Sequence, residues 1–124
     1  MKYLIAEIAD TPSQQQQGLM FREKLADDNC MVFMFKDAQN LRFWGVNTFI
    51  PLDIAFVDTD NKIAEICHIK PLCDNVVMSQ TKCNKAIETN MGFFAKNNIT
   101  VGEKVDIIKR DNQEKWILFL GNEK

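Results

Sequence analysis

Asp53-Ile54-Ala55-Phe56-Val57-Asp58-Thr59-Asp60-Asn61-Lys62-Ile63-Ala64-Glu65-Ile66-Cys67-His68-Ile69 holds two strand-length runs on either side of a turn, and its reading sets the fold class. Asp53 to Asp58 is apolar and rich in strand formers. Asp58-Thr59-Asp60-Asn61 is turn chemistry, because Asp and Asn side chains bond the backbone just ahead of them and tolerate left-handed conformations. Lys62 to Ile69 should therefore return as the partner of a hairpin. Outward from this hairpin the same pattern recurs. Met31-Val32-Phe33-Met34-Phe35 is a continuous apolar run of strand length, the mark of a strand covered on both faces. Leu41 to Trp44, Lys85 to Thr89 and Lys2 to Ala9 read as further strands, and Val105 to Lys109 with Trp116 to Leu120 as a closing hairpin around Asp111-Asn112-Gln113. Many short strands separated by turns predict a mostly β sandwich or barrel.

Helices are few. Thr11 can cap a short one, Pro12 suits its first position, Gln14 can complete a capping box, and Gly18 is placed to end it in a left-handed conformation. The glutamines between them read as a solvated helical face. Gly92-Phe93-Phe94-Ala95-Lys96 suggests one more helical turn. No strand-helix-strand rhythm or internal repeat is read, so a doubly wound nucleotide-binding fold is not expected.

The chain has 124 residues, the length of one domain, residues 1–124, and 46% are hydrophobic, which argues against disorder. Such a domain buries about two thirds of its unfolded surface and folds without a metal or disulfide staple. Its 15 basic residues face 17 acidic ones with no basic cluster, so neither nucleic acid nor a charged membrane surface is the expected partner. No stretch approaches the ~20 apolar residues that cross a bilayer. The N-terminal run, with its strand from Lys2 to Ala9, is short, is interrupted by Glu7 and Asp10 and lacks a small-residue cleavage site, so it is not read as a signal peptide and the expected compartment is the cytoplasm. Cys30, Cys67, Cys73 and Cys83 are then expected as reduced thiols, mostly small buried hydrophobes. They form no CxxC pair and share the chain with a single histidine, His68, so no metal or other cofactor is implied.

Catalytic signatures are sparse. Cys67 and His68 are adjacent, and strand neighbours point to opposite faces, so they cannot form a nucleophile–base pair on a strand. No GxSxG, HExxH or calcium-loop spacing occurs. The most unusual stretch is Phe43-Trp44-Gly45-Val46-Asn47-Thr48-Phe49-Ile50-Pro51-Leu52-Asp53. Two aromatics end a strand, Gly45 permits close backbone approach or positive φ, and Asn47 and Thr48 add donors and acceptors. Such a polar, aromatic-flanked loop can hold a small molecule or a peptide. Composition alone favours the plainer reading, in which Trp44 packs the core and Asn47 satisfies a tight loop.

Gly18-Leu19-Met20-Phe21-Arg22, Met31-Val32-Phe33, Phe43-Trp44, Asn47-Thr48, Ile50-Pro51-Leu52-Asp53 and Ile87-Glu88 with Gly92 occur in an order that resembles the domain of unknown function 192 family. That family's pattern runs approximately GLMFR, GMLF, FWMKNT, IPLD and LE-NAG. The likeness extends from about Glu7 to Val105, and it is the combination that is specific. It implies a single mostly β domain of jelly-roll-like sandwich character and no particular reaction. The chain departs from the pattern at Gln17, where the family commonly has a cation, at Val46, where it has Lys, and at Cys30, where Gly is frequent. A family site that used those cations for an anion would here bind it weakly or bind something else. The polar candidates that remain are Arg22, Asn47, Thr48, Asp53 and Glu88.

The leading expectation is a non-enzymatic binding module for a small molecule or peptide, with a site formed by Arg22, Trp44, Asn47, Thr48, Asp53 and Glu88. One alternative is a hydrolase or isomerase using Asp53 or Glu88 as general base, with Arg22 stabilising negative charge. In another, Arg22 and Asp53 or Glu88 form an ion pair that only fixes loop geometry. A structural or interaction protein with an exposed edge or apolar patch is the third class.

Overall fold

The computed structural model describes residues 2–109 and 116–121. The hairpin that opened the sequence argument forms as expected. β4 (Leu52–Val57) and β5 (Ile63–Ile69) pair antiparallel with Asp53 opposite His68 and Ile54 opposite Cys67. Asp58 makes the turn between them: its Oδ1 accepts from the amides of Asp60 (2.9 Å) and Lys62 (3.1 Å), and Asn61 takes φ +61°.

Around this hairpin lie β1 (Lys2–Ala9), α1 (Pro12–Gln17), β2 (Asn29–Gln39), β3 (Arg42–Phe43), β6 (Val77–Met78), β7 (Cys83–Asn90), α2 (Phe93–Lys96), β8 (Lys104–Lys109) and β9 (Trp116–Gly121). The main sheet runs β5-β4-β7-β2-β1-β9-β8. Its first five strands form the body, and the β8–β9 hairpin extends it past β1. β3 and β6 make a separate two-stranded sheet. The turn expected at Asp111-Asn112-Gln113 lies outside the described residues.

Among the described residues the chain is thus mostly β with two short helices, and two expectations are corrected. The main sheet is mixed, because β1 and β2 run parallel across α1 and the long loop after it. One strand-helix-strand unit is therefore present, hidden in the sequence because α1 has only six residues. Barrel closure does not occur either. Among the described residues the β5 and β8 edges meet only where one begins and the other follows its turn, at the isolated bridge of Lys62 with Lys104 and through backbone bonds from the Ile63 amide to the Glu103 carbonyl (2.9 Å), the Gly102 amide to the Ile63 carbonyl (2.7 Å) and the Val105 amide to the Asn61 carbonyl (2.8 Å).

Both faces of the sheet are packed, which explains the continuous apolar runs of β2 and β4. On β2, Cys30 and Val32 join one core cluster with Ile87, Leu118 and Phe94 of α2, while Met31 and Phe33 join a second with Leu52, Ile54 and Phe56. Every residue of β4 is buried. Phe43 of β3 lies over the second face, its ring 4.9 Å from that of Phe33, edge to face, and 5.9 Å from that of Phe56. The small sheet is tied down by Ser79, whose amide donates to the Leu41 carbonyl (2.9 Å) and whose hydroxyl accepts from the Leu41 amide (2.9 Å). Cys30 and Cys83 are buried in the two clusters, and no disulfide joins any of the four cysteines.

Candidate functional site

Three segments distant in sequence converge over the second core face. The first is α1 and its exit. Thr11 and Gln14 form the reciprocal capping box, with the Thr11 side chain accepting from the Gln14 amide (3.2 Å) and Gln14 Oε1 accepting from the Thr11 amide (3.2 Å). Gln15 ties the helix to the sheet by donating to the Met34 carbonyl (2.8 Å). The helix stops at Gly18, whose φ of +51° suits glycine, and a Cβ there would lie 3.3 Å from the Phe33 ring and 3.9 Å from Glu88 Oε1. The chain therefore turns directly above Glu88.

The second segment is the loop after β3. Gly45 is required by close approach: a Cβ there would sit 1.9 Å from the Lys70 carbonyl oxygen. Its amide donates to the Cys73 carbonyl (3.0 Å). Val46 and Asn47 then turn, with the Thr48 amide donating to the Gly45 carbonyl (3.1 Å) and Asn47 at φ +56°. The Asn47 carbonyl accepts from the Phe21 amide (2.8 Å), and the Thr48 carbonyl accepts from the Leu72 amide (3.0 Å). One loop thus clasps residues 18–22 on one side and 70–73 on the other, and holds Trp44 at the surface with 48% of its area exposed.

The third is the middle of β7. Glu88 pairs with Met31 on one side and Ile54 on the other, both apolar, on a face otherwise made of core side chains. It is 4% exposed and makes no side-chain hydrogen bond or ion pair among the described residues. Burial alone pushes its carboxyl up to about 8. Near neutral pH it is largely protonated, since an ionised carboxylate without partners is costly in an apolar setting.

Together these segments line a pocket of about 140 Å³ that opens to solvent. Phe33, Phe43 and Trp44 supply its aromatic walls, and Thr48 and Glu88 line it beside Gly18. Gln15, Gln16 and Gln17 of α1 border it, and the exposed Arg42 lines it with no ion partner among the described residues.

Of the six residues singled out in the sequence, Trp44, Thr48 and Glu88 line this cavity, whereas Arg22, Asn47 and Asp53 do not. The ion pair expected between Arg22 and Asp53 or Glu88 is not formed. Arg22 forks onto Glu7, with Nη2 donating to Oε1 at 2.9 Å. Glu7 lies on the same row of the sheet as Glu88 but two strands away, across Met31, roughly 10 Å. A carboxylate nearer to Arg22 takes its charge. Asp53 is buried and fully engaged: it bonds His68 Nδ1, and its Oδ2 accepts from the Gly92 amide (2.9 Å). It fixes the turn into α2. Asn47 takes part in the loop through its backbone, and Trp44, which the plainer reading put in the core, is instead half exposed.

Sequence reasoning missed Arg42 and the bordering role of Gln15 to Gln17. Arg42 and Trp44 stand two apart beside a strand, a spacing that puts side chains on one side. The glutamines are the last turn of a helix that ends over Glu88. Among the described residues no group of three or more His, Cys, Asp or Glu could hold a metal ion. No helix among them is long and apolar enough to cross a membrane.

Residues 2–107 match the family model described as "Uncharacterized ACR, COG1430", DUF192, and the chain belongs to that family. Its fold is shared by two crystal structures. One, from Sinorhizobium meliloti 1021, is described as a "putative transcription regulator"; it is 31% identical, with 82% of this chain and 79% of that one covered and a TM-score of 0.79. The other, from Novosphingobium aromaticivorans DSM 12444, is described as a protein of unknown function; it is 34% identical, with 80% and 71% covered and a TM-score of 0.78. No curated protein matches the chain.

Proposed function

We propose that this member of the family is a cytoplasmic binding module whose site is the cavity between α1, the Trp44–Thr48 loop and β7, and whose ligand is a small polar molecule or a side chain of a peptide. One observation carries the reading: Glu88 is buried, without a partner among the described residues, and lines an open space beside aromatic rings. Folded proteins pair their buried carboxyls, and an unpaired one lowers stability, so a carboxyl kept in that condition is best explained by a partner that arrives from outside. Arg42 and Trp44, both exposed at the mouth, supply a charge and an apolar plate for the same ligand.

The near balance of 15 basic and 17 acidic residues gives no support to nucleic acid as the partner, although that would suit the description of the Sinorhizobium meliloti relative. The second reading, an enzyme, draws support from one fact: a carboxyl at about 8 is poised for proton transfer near neutral pH. In this version Glu88 alone is the acid or base, because Asp53 is engaged elsewhere and Arg22 belongs to Glu7.

The binding reading is tested by recording amide and indole NMR shifts of the intact chain against a panel of small polar metabolites. Binders should move the signals of Gly18, Trp44, Thr48 and Glu88, and Trp44→Ala should weaken them at least 10-fold. A panel that leaves those signals still, or binds Trp44→Ala equally well, would refute it. Turnover of any binder, lost in Glu88→Gln, would favour the enzyme.

A further inference from the structure

Resting on that reading and naming its ligand class, we propose that the cavity takes a small zwitterion, its ammonium group directed inward to Glu88 and its carboxylate outward to Arg42. The lining is asymmetric in a way that selects such a molecule. At the inner end Glu88 is the only ionisable group among the described residues of the lining, and its strand neighbours Met31 and Ile54 offer it nothing polar. The rings of Phe33, Phe43 and Trp44 surround the same space, and aromatic π-systems favour a cation over an anion. Thr48 and the glutamines add oxygen acceptors that an ammonium group can use. At the outer end Arg42 is exposed and unpaired among the described residues, with a guanidinium fork that suits a carboxylate. A cavity of about 140 Å³ is close to the ~150 Å³ engineered cavity that holds benzene, so the ligand is of about that size.

Charge bookkeeping gives the proposal a signature. In the empty cavity Glu88 holds its proton, with burial raising it to about 8. An arriving ammonium favours the carboxylate, so the proton of Glu88 passes to solvent while the ligand keeps its own. The other groups facing this region do not confuse the signal. α1 brings only glutamines, β2 brings Met31 and Phe33, and β4 brings Ile54. β3 brings Arg42, and the more distant Glu7 is already paired with Arg22.

The test is calorimetry of the intact chain with 4-aminobutyrate, n-butylammonium, butyrate and butyramide, in buffers of different ionisation enthalpy. 4-Aminobutyrate should bind at least 10-fold more tightly than n-butylammonium, and butyrate and butyramide should bind weakest. Binding of 4-aminobutyrate at pH 7 should release about one proton, falling toward none at pH 9.5, as the linked titration of one group near 8 requires. Glu88→Gln should abolish the release and cost the amines at least 10-fold. Arg42→Gln, a change at an exposed position, should bring 4-aminobutyrate down to the level of n-butylammonium. Butyrate or butyramide binding as well as the amines, or amine binding without proton release, would overturn the ligand class while leaving the cavity as a site. If none of the four probes moves the NMR signals of Gly18 and Trp44 while other polar metabolites do, this proposal alone falls. If no compound of any class moves them, the binding reading falls with it.

Discussion

Replacing Glu88 by Gln should remove a loss of stability that the wild type suffers as pH rises, and the size of the effect follows from the burial of Glu88. The carboxyl ordinarily titrates at 4.5 and here at about 8. Below 4.5 both folded and unfolded chains carry the proton, and ionisation takes no part in folding. Between 4.5 and about 8 the unfolded chain ionises freely while the folded one holds its proton, so each pH unit removes ~1.4 kcal/mol from the folded state. Above about 8 both forms are ionised and the loss levels off. From pH 5 to pH 8 the wild type should therefore lose about 3 kcal/mol relative to Glu88→Gln, which has no proton to hold. In a domain of this length that difference moves the midpoint of thermal unfolding by roughly 10 °C. The Gln amide is also buried without a partner, but that cost is the same at every pH and leaves the slope untouched. The measurement is urea unfolding of both proteins, without ligand, at half-unit pH steps from 4 to 9. Parallel stability curves across the whole range would mean that Glu88 is neither desolvated nor protonated as described, and the reasoning for the cavity would fail with it.

Other outcomes follow from single contacts. Gly45→Ala places a methyl 1.9 Å from the Lys70 oxygen, so the loop must shift; unfolding should register a loss of about 3 kcal/mol, and Trp44 should lose its fixed environment by near-ultraviolet dichroism. Asp53→Asn weakens the charge-assisted bonds to His68 and to the Gly92 amide, which should cost about 2 kcal/mol in urea unfolding and speed hydrogen exchange at Gly92. Thr11→Ala removes half of the capping box and should cost about 1 kcal/mol while loosening the helix at the cavity border, read as faster exchange of the Gln14 amide. Arg22→Gln should leave ligand affinity unchanged by calorimetry and cost under about 1 kcal/mol, because its pair with Glu7 is more than a third exposed and lies outside the cavity.

The elements were legible because the signals for them are local. Asp58 and Asn61 specify their own turn by bonding backbone a few residues away, and the structure places the β4–β5 hairpin around them. Thr11, Pro12 and Gln14 mark the start of α1 and act as their chemistry predicts, whereas Gly18 ends it at φ +51° with ψ −129°, outside the left-handed helical conformation expected of it. The unbroken apolar run in β2 implied cover on both faces, which the two core clusters supply. The parallel β1–β2 pair escaped notice because α1 is too short to stand out as a crossover helix. Within the site, Gly45 was legible as a point of close approach, but its neighbour, the Lys70 carbonyl, was not. Arg22 could be named as a cation with a role, yet nothing in sequence separation favours Glu7 over Asp53 or Glu88 as its partner.

From residues alone, then, come the strands, the turns, the helix caps and the short roster of polar groups embedded in apolar surroundings, since each depends on backbone sterics and on neighbours a few positions away. Tertiary structure decided which of those groups share a space. Glu88 is an unremarkable strand glutamate until Met31 and Ile54 flank it, Gly18 turns above it and the Trp44 loop roofs it over. Its protonation, and its want of a partner among the described residues, are properties of that buried position, set by residues 34 to 70 positions away along the chain.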